Sequence, residues 1–322
     1  MKQRSLATTG YELVTKRTRK REFLDEMERV IPWAALLGLI APHYPKGRNG
    51  RPPFGMDVML RIHFMQRWFG LSDPAMEESL HEVPLYREFA GLDAGISRLP
   101  DESTILRFRH LLETHDLAQS LLDTVNAVLT DKGLLLKTGT IVDATLIAAP
   151  SSTKNRTGER DPEMHQVKKG NQWYFGMRAH IGVDADSGLV HTVIGTPANT
   201  SEVTLGHDLL HGEETRVHAD AGYRGAMKRP EATGVDWQVA MRPGKRRALP
   251  DTAWGRRLNE AERLKASIRA KVEHPFRVVK CQFGHVKVRY RGLMKNTAQL
   301  ITLFALSNLW MARRHLLQGS TG

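Results

Sequence analysis

Apolar residues recur at helical spacing through the first 135 positions and then give way to short extended runs from about residue 140. Residues Met56–Phe69 place Met59, Ile62, His63 and Gln66, with Leu60, Phe64 and Trp68, around a broad apolar face, and Gly70 supplies a stop. Asp73-Pro74 then reads as a helix start, with an N-cap acceptor followed by proline at the first helical position. A third start stands at Pro100-Asp101-Glu102-Ser103. Ile105, Leu106, Leu111 and Leu112 follow it at helical spacing, and the pattern resumes through Leu121, Leu122, Val125 and Leu129 before Gly133. This predicts a helical domain over residues 45–134, preceded at 1–44 by a basic arm and short helices. Three helices joined by short Gly- or Pro-marked turns suit helix-turn-helix DNA binding, with Arg107, Arg109 and His110 exposed on the last one, and they suit a plain helical bundle equally well.

Beyond Lys137 the signature is that of a sheet. Thr140–Ala149 is short, β-branched at its start and closed by Pro150, which predicts a buried strand. Ser151–Asn171 is polar and reads as a mobile surface loop. Gln172–Val183 and Leu189–Thr196 flank Asp184-Ala185-Asp186-Ser187-Gly188, a hairpin signal. Ser201–Leu210 is predicted as a helix, Thr215–Ala219 as a strand and Asn259–Val272 as a helix. Strand, hairpin, helix, strand and late helix together predict an α/β domain over residues 135–315.

Composition narrows the partner. The 322 residues are 41% hydrophobic and 25% charged, which describes a globular chain rather than a disordered or fibrous one. Lys and Arg number 47 against 35 Asp and Glu, a net charge of +12 that favours a polyanion, nucleic acid before an anionic membrane. Residues 1–21 hold Lys2, Arg4, Lys16, Arg17, Arg19, Lys20 and Arg21 without an apolar stretch close behind, so a basic arm is expected rather than a targeting segment. The apolar stretches Ile31–Pro42 and Leu300–Ala312 fall short of the roughly 20 residues a bilayer span needs. A single cysteine, Cys281, excludes an intramolecular disulfide framework and a Cys-based zinc site and suits a reducing cytoplasm.

Three carboxylates stand out. Asp143 interrupts an apolar strand, where a charge is costly unless it is paired or metal-bound. Asp220 follows Val217-His218-Ala219 at the point where a strand hands over to a loop, the end at which α/β sheets present ligand-binding groups. Glu273 is the lone acid among ten Lys and Arg of residues 263–295. Each has a plain alternative: a hydrogen-bonded strand Asp, a loop cap, an ion pair with Arg269 one turn earlier. Jointly, on two strands and a helix of a basic domain, they can converge on a pair of hard cations. Other groupings are weaker. His207 and His211 are four apart with no third ligand in view, and Trp173-Tyr174-Phe175 beside Lys168 and Lys169 suits strand packing better than base stacking. No GxxxxGK loop and no Ser or Cys nucleophile arrangement is present.

Asp143 in TIVDATLIAAPSSTKN, Asp220 in VHADAGYRG and Glu273 in RAKVEHPFRVVKCQFG resemble the three acidic motifs of DDE transposases encoded by bacterial insertion sequences, most closely the family-five group of the four/five superfamily. The resemblance extends through residues 161–184, HTVIGTPANTSEV and MKNTAQLITLFALSNLWMARR, and in the first half through RPPFGMDVMLRIHFMQRWFGLSD and LPDESTILRFRHLLE. Roughly residues 45–313 are covered. It implies a ribonuclease-H-like, retroviral-integrase-like catalytic domain behind a helical N-terminal domain, with Asp143 and Asp220 on neighbouring strands and Glu273 on the closing helix. In the wider group the last acid belongs to a Tyr, Arg, Glu, Lys signature with two, three and six residues between members. Arg269, Glu273 and Lys280 keep those spacings, whereas the Tyr position is Ala266. Pro275 is expected to end or kink the helix just past Glu273.

The resemblance further implies a transposase that uses two Mg²⁺, replaceable by Mn²⁺, held by Asp143, Asp220 and Glu273. It would cut double-stranded DNA at the transposon ends and transfer the strands to target DNA. Arg269 and Lys280 would meet phosphate charge near the metals, and Lys287, Arg289 and Arg291 would add further DNA contacts. A homodimer in the synaptic complex, a bacterial cytoplasmic location on the nucleoid, and no membrane partner complete the expectation. A non-catalytic DNA-binding regulator and a metal-dependent nuclease of the same fold are the rival readings.

Overall fold

The computed structural model describes residues 16–47, 51–93, 95–230 and 234–318; the first part of the expected basic arm, with Lys2 and Arg4, lies outside them. The chain divides into two compact units, residues 1–125 with 309–322 and residues 126–308.

The first unit is helical: α1 (Arg19–Val30), α2 (Trp33–Ile40), α3 (Met56–Phe69), α4 (Asp73–Glu82), α5 (Pro84–Ala90), α6 (Glu102–Thr114) and the start of α7 (Leu117–Asp131). α3 is its centre, with Met59, Leu60, Ile62, Phe64, Met65 and Trp68 buried, and Gly70 in the left-handed conformation ends it as expected. His63, Gln66 and Arg67 are buried as well. A helix enclosed on most sides must satisfy its polar groups internally. Gln66 Nε2 donates to Asp73 Oδ1 at 2.9 Å, and Arg109 donates to Asp73 Oδ2 at 3.0 Å and to Glu113 Oε1 at 2.9 Å. Arg109 is therefore not on an exposed face, although Arg107 and His110 are. The buried residues of α6 are Ile105, Phe108, Arg109 and Leu112, and that i, i+3, i+4, i+7 stripe turns Arg109 inward. The cap of α4 is Ser72, whose Oγ accepts from the Ala75 N–H, one residue before the expected Asp73. α1 begins within the basic stretch, and its Phe23 packs edge-on against Trp68 at 5.2 Å.

In the second unit the strands are β1 (Thr140–Ala148), β2 (His165–Lys169), β3 (Gln172–Asp184), β4 (Val190–Pro197), β5 (Arg216–Ala219) and β6 (Asp236–Val239). The helices are α8 (Glu202–Leu205), α9 (Pro243–Arg247), α10 (Ala253–Arg269), α11 (Glu273–Arg277) and the start of α12 (Leu293–Gln318). β3 runs antiparallel to β1 on one side and pairs β2 and β4 on the other; β1, β5 and β6 are parallel to one another. Val142, Leu209, Val217, Ala219, Tyr223, Ala226 and Trp237 form a buried cluster against this sheet.

Several expectations change here. Within the loop predicted at 151–171, residues His165–Lys169 pair with β3, while Asp161 Oδ2 accepts from Gly292 N–H at 2.7 Å and Glu163 Oε2 from Leu293 N–H at 2.6 Å. The helix expected over 201–210 shrinks to the four residues of α8, and Gly206, which follows it, packs so closely on Trp237 that a Cβ there would lie 3.1 Å from its ring. The late helix starts at Ala253, where Thr252 caps it, six residues earlier than expected. β6, four residues long, is too short to show alternation. Pro275 does not end the helical path, though the path around it is irregular: α10 passes through a 3₁₀ turn into α11 and then a π turn at Val278–Gln282.

Candidate active site

The parallel register of β1 and β5 pairs Thr140 with Val217, Ile141 with His218 and Val142 with Ala219, and the next residue on each strand is Asp143 and Asp220. Both aspartates thus stand at the carboxyl end of the paired segment. The first three residues of β1 are buried and exposure opens at Asp143, so the apolar run anchors the strand and its first acid meets the opening. Asp143 Oδ1 accepts from the Ala144 N–H at 2.7 Å. Asp220 Oδ1 accepts from the Gly222 N–H at 2.7 Å and caps the turn Ala221–Tyr223, so the capping role and the site position coincide.

A third carboxylate, Glu202 on α8, faces these two, and the sequence pattern does not single it out. A Cβ added at Gly222 would collide with Glu202 Oε2 and lie 2.8 Å from Asp220 Oδ1, so the absent side chain leaves a notch between the two carboxylates. Glu202 Oε1 pairs with Arg178 Nη1, and Arg178 Nε donates to Ala198 O at 2.8 Å. Burial, then the charges of Asp220 and Glu202, push Asp143 up to about 6, against the opposing Ala144 N–H and Arg269. Burial raises Glu202 too, with Asp220 adding to the effect and Arg178 opposing it. Beneath the acids Tyr223 is fully buried, its hydroxyl has no hydrogen-bond partner, and burial with the charges of Asp143, Glu202 and Asp220 keeps it protonated. The signal for Glu202 is faint, one acid in the polar stretch Asn199-Thr200-Ser201-Glu202.

The helical path supplies cations. Arg269 is close enough to act on Asp143. Glu273 opens α11 one turn later, exposed, and is not among the charges acting on Asp143. Lys280 Nζ donates to Thr145 Oγ1 at 2.6 Å and Leu146 O at 3.1 Å, which ties the path to the far end of β1. A cleft of about 160 Å³ beside it is lined by Thr145, Lys168, Lys169, Arg178 and Glu202. Lys287, Arg289 and Arg291 are exposed on a segment that bonds to the end of β1 through Val288 N–H to Ala148 O at 2.9 Å. Buried Asn296 holds its turn by accepting from the N–H groups of Arg289 and Tyr290 and donating to Tyr290 O and Gly292 O.

Trp173 is 61% exposed, so the aromatic triplet of β3 is not wholly consumed in strand packing; Trp173 pairs across with Lys168. His207 and His211 share no helix. His211 instead meets His191 and Glu214, whose candidate ligand atoms lie within 4.8 Å of one another. Glu214 accepts from the N–H groups of His211 and Gly212 and from Thr140 Oγ1, and burial drives His191 down to about 3. Glu214 thus fastens the 211–214 turn to β1, and His191 bonds Thr140 and Thr192, whereas the buried His211 Nε2 has no hydrogen-bond partner among the described residues.

Among the described residues no helix is long and apolar enough to cross a membrane. Residues 135–309 match the family model described as Transposase DDE domain, and residues 12–111 match the one described as Transposase domain (DUF772). No solved structure matches the chain.

Proposed function

The chain belongs to the DDE transposases, and from that premise we propose that it binds the terminal inverted repeats of an insertion sequence, cleaves the DNA at the element's ends and joins the freed 3′ ends to target DNA. The observation that carries this reading is that Asp143 and Asp220 are the residues that directly follow the parallel-paired segment of β1 and β5, with Asp143 held toward its neutral form by burial and neighbouring acids. An acid in that position favours binding of a cation, which relieves the repulsion. The strand arrangement, antiparallel β3 against β1 and parallel β1, β5 and β6, supports a ribonuclease-H-like catalytic domain.

The donor set fits the divalent ions of this chemistry: oxygen ligands only, a notch at Gly222, and an orphaned Tyr223 hydroxyl below. Asp143 and Asp220, with Glu273 as the third carboxylate, would hold Mg²⁺ or Mn²⁺. Two such ions, when bound, activate a water or a 3′-hydroxyl and neutralise the leaving oxygen. Arg269 balances charge at Asp143, and Lys280 fixes the end of β1 against the helical path. Lys169 and Arg178 line the cleft that a phosphate of the strand can enter. Lys287, Arg289 and Arg291 contact the DNA backbone farther out. Pairing of two ends makes a homodimer the active unit, working on nucleoid DNA in a bacterial cytoplasm. The Tyr role of the wider signature is left without a holder at Ala266.

The test is a labelled DNA fragment carrying the element's own end, incubated with Mg²⁺ or with EDTA, for the intact protein and Glu273→Gln. Metal-dependent 3′-end joining abolished by the substitution is the expected result. Cleavage without joining would make the protein a nuclease, and binding without cleavage under every metal condition a regulator.

A further inference from the structure

We infer that Glu202 is a fourth carboxylate of the cation site, its Oε2 turned toward Asp220 Oδ1 across the notch at Gly222. This rests on the proposal that Asp143 and Asp220 hold divalent cations.

Three features support it. Glu202 divides its two oxygens: Oε1 takes Arg178, whereas Oε2 faces Asp220. An acid needed only as the ion-pair partner of Arg178 gains nothing by directing its second oxygen at another carboxylate, since like charges in a half-buried setting repel. The notch exists because residue 222 is glycine, and any side chain there would fill it. Tyr223, the next residue, is fully buried with an unpartnered hydroxyl and experiences the charges of Asp143, Glu202 and Asp220 together. Such an orphaned hydroxyl near three acids is a buried polar group that the protein groups alone do not satisfy. All donors are oxygens, so the occupant is a hard divalent ion and not a thiophilic one. Arg178 then acts as a counter-charge that holds Glu202 in place until a cation competes for it.

The experiment measures Mn²⁺ binding to the full-length protein without DNA, by calorimetry and by the loss of the free-ion electron paramagnetic resonance signal. The variants are Asp143→Asn, Glu202→Gln and Arg178→Gln. Asp143→Asn is expected to abolish binding, Glu202→Gln to weaken it at least about tenfold, and Arg178→Gln to strengthen it by freeing the carboxylate. A purely structural Arg178–Glu202 pair predicts otherwise: both substitutions lower the melting temperature and neither moves Mn²⁺ affinity. That outcome, with Asp143→Asn still defective, overturns the role of Glu202 and leaves the proposed function standing. Equal Mn²⁺ binding by intact protein and Asp143→Asn removes the cation site itself. Should Glu202→Gln fail to fold, Arg178→Gln decides alone, and unchanged or weakened binding there overturns the inference.

Discussion

Asp143 illustrates how one residue carries both a cost and a use. Its carboxyl is raised to about 6 by burial first and by Asp220 and Glu202 after it. A raised acid binds its proton more tightly in the folded chain. Its contribution to stability is therefore present below the ordinary carboxylate range and is lost as pH rises through about 6. Asp143→Asn removes that cost. In EDTA at about pH 7.5 the variant is expected to exceed the parent in stability by about 2–3 kcal/mol, with the gap closing toward about pH 4; urea unfolding at several pH values checks this. Mn²⁺ should then raise the melting temperature of the parent and leave that of the variant unmoved. A parent already as stable as the variant near neutral pH would show that Asp143 is not destabilised when ionised.

Elements owe their placement to a few buried polar groups. Arg109 joins α6 to the first residue of α4 through Asp73, and Gln66 brings α3 to the same carboxylate. Arg109→Met leaves Asp73 and Glu113 facing each other's charge in a largely buried setting and is expected to destabilise the protein by about 3–5 kcal/mol, read as a lower urea midpoint. A drop of less than about 1 kcal/mol would show the network to be solvated. This arginine is illegible in the sequence for a physical reason: a guanidinium at an inward position of a helical stripe has the spacing of the core and the chemistry of the surface. The strand ends tell the same story at the site. β1 and β5 are readable from their apolar runs, and their parallel register, which sets Asp143 beside Asp220, depends on pairing between segments far apart in the chain.

For the whole molecule, the +12 charge sets the expectation of a DNA partner, and the fold decides where that charge is usable. Arg109 is engaged internally and Lys280 is bonded to β1, whereas Lys287, Arg289 and Arg291 project from a turn that Asn296 holds. Replacing those three by Gln should weaken binding to any duplex and reduce the slope of log affinity against log salt by about one for each phosphate no longer neutralised. A slope equal to the parent's would make the segment a solvated surface. Local signals determined the helical first half, the hairpin at 184–188, the strands at 140 and 215 and the two aspartates of the candidate site, because period, caps and turn residues act within a few positions of one another. Pairing and packing across the chain decided the rest. The pairing of β2, the close packing of Gly206 on Trp237, the continuation of the helical path through Pro275 and the approach of Glu202 to Asp220 depend on what packs against each segment, which no window of sequence contains.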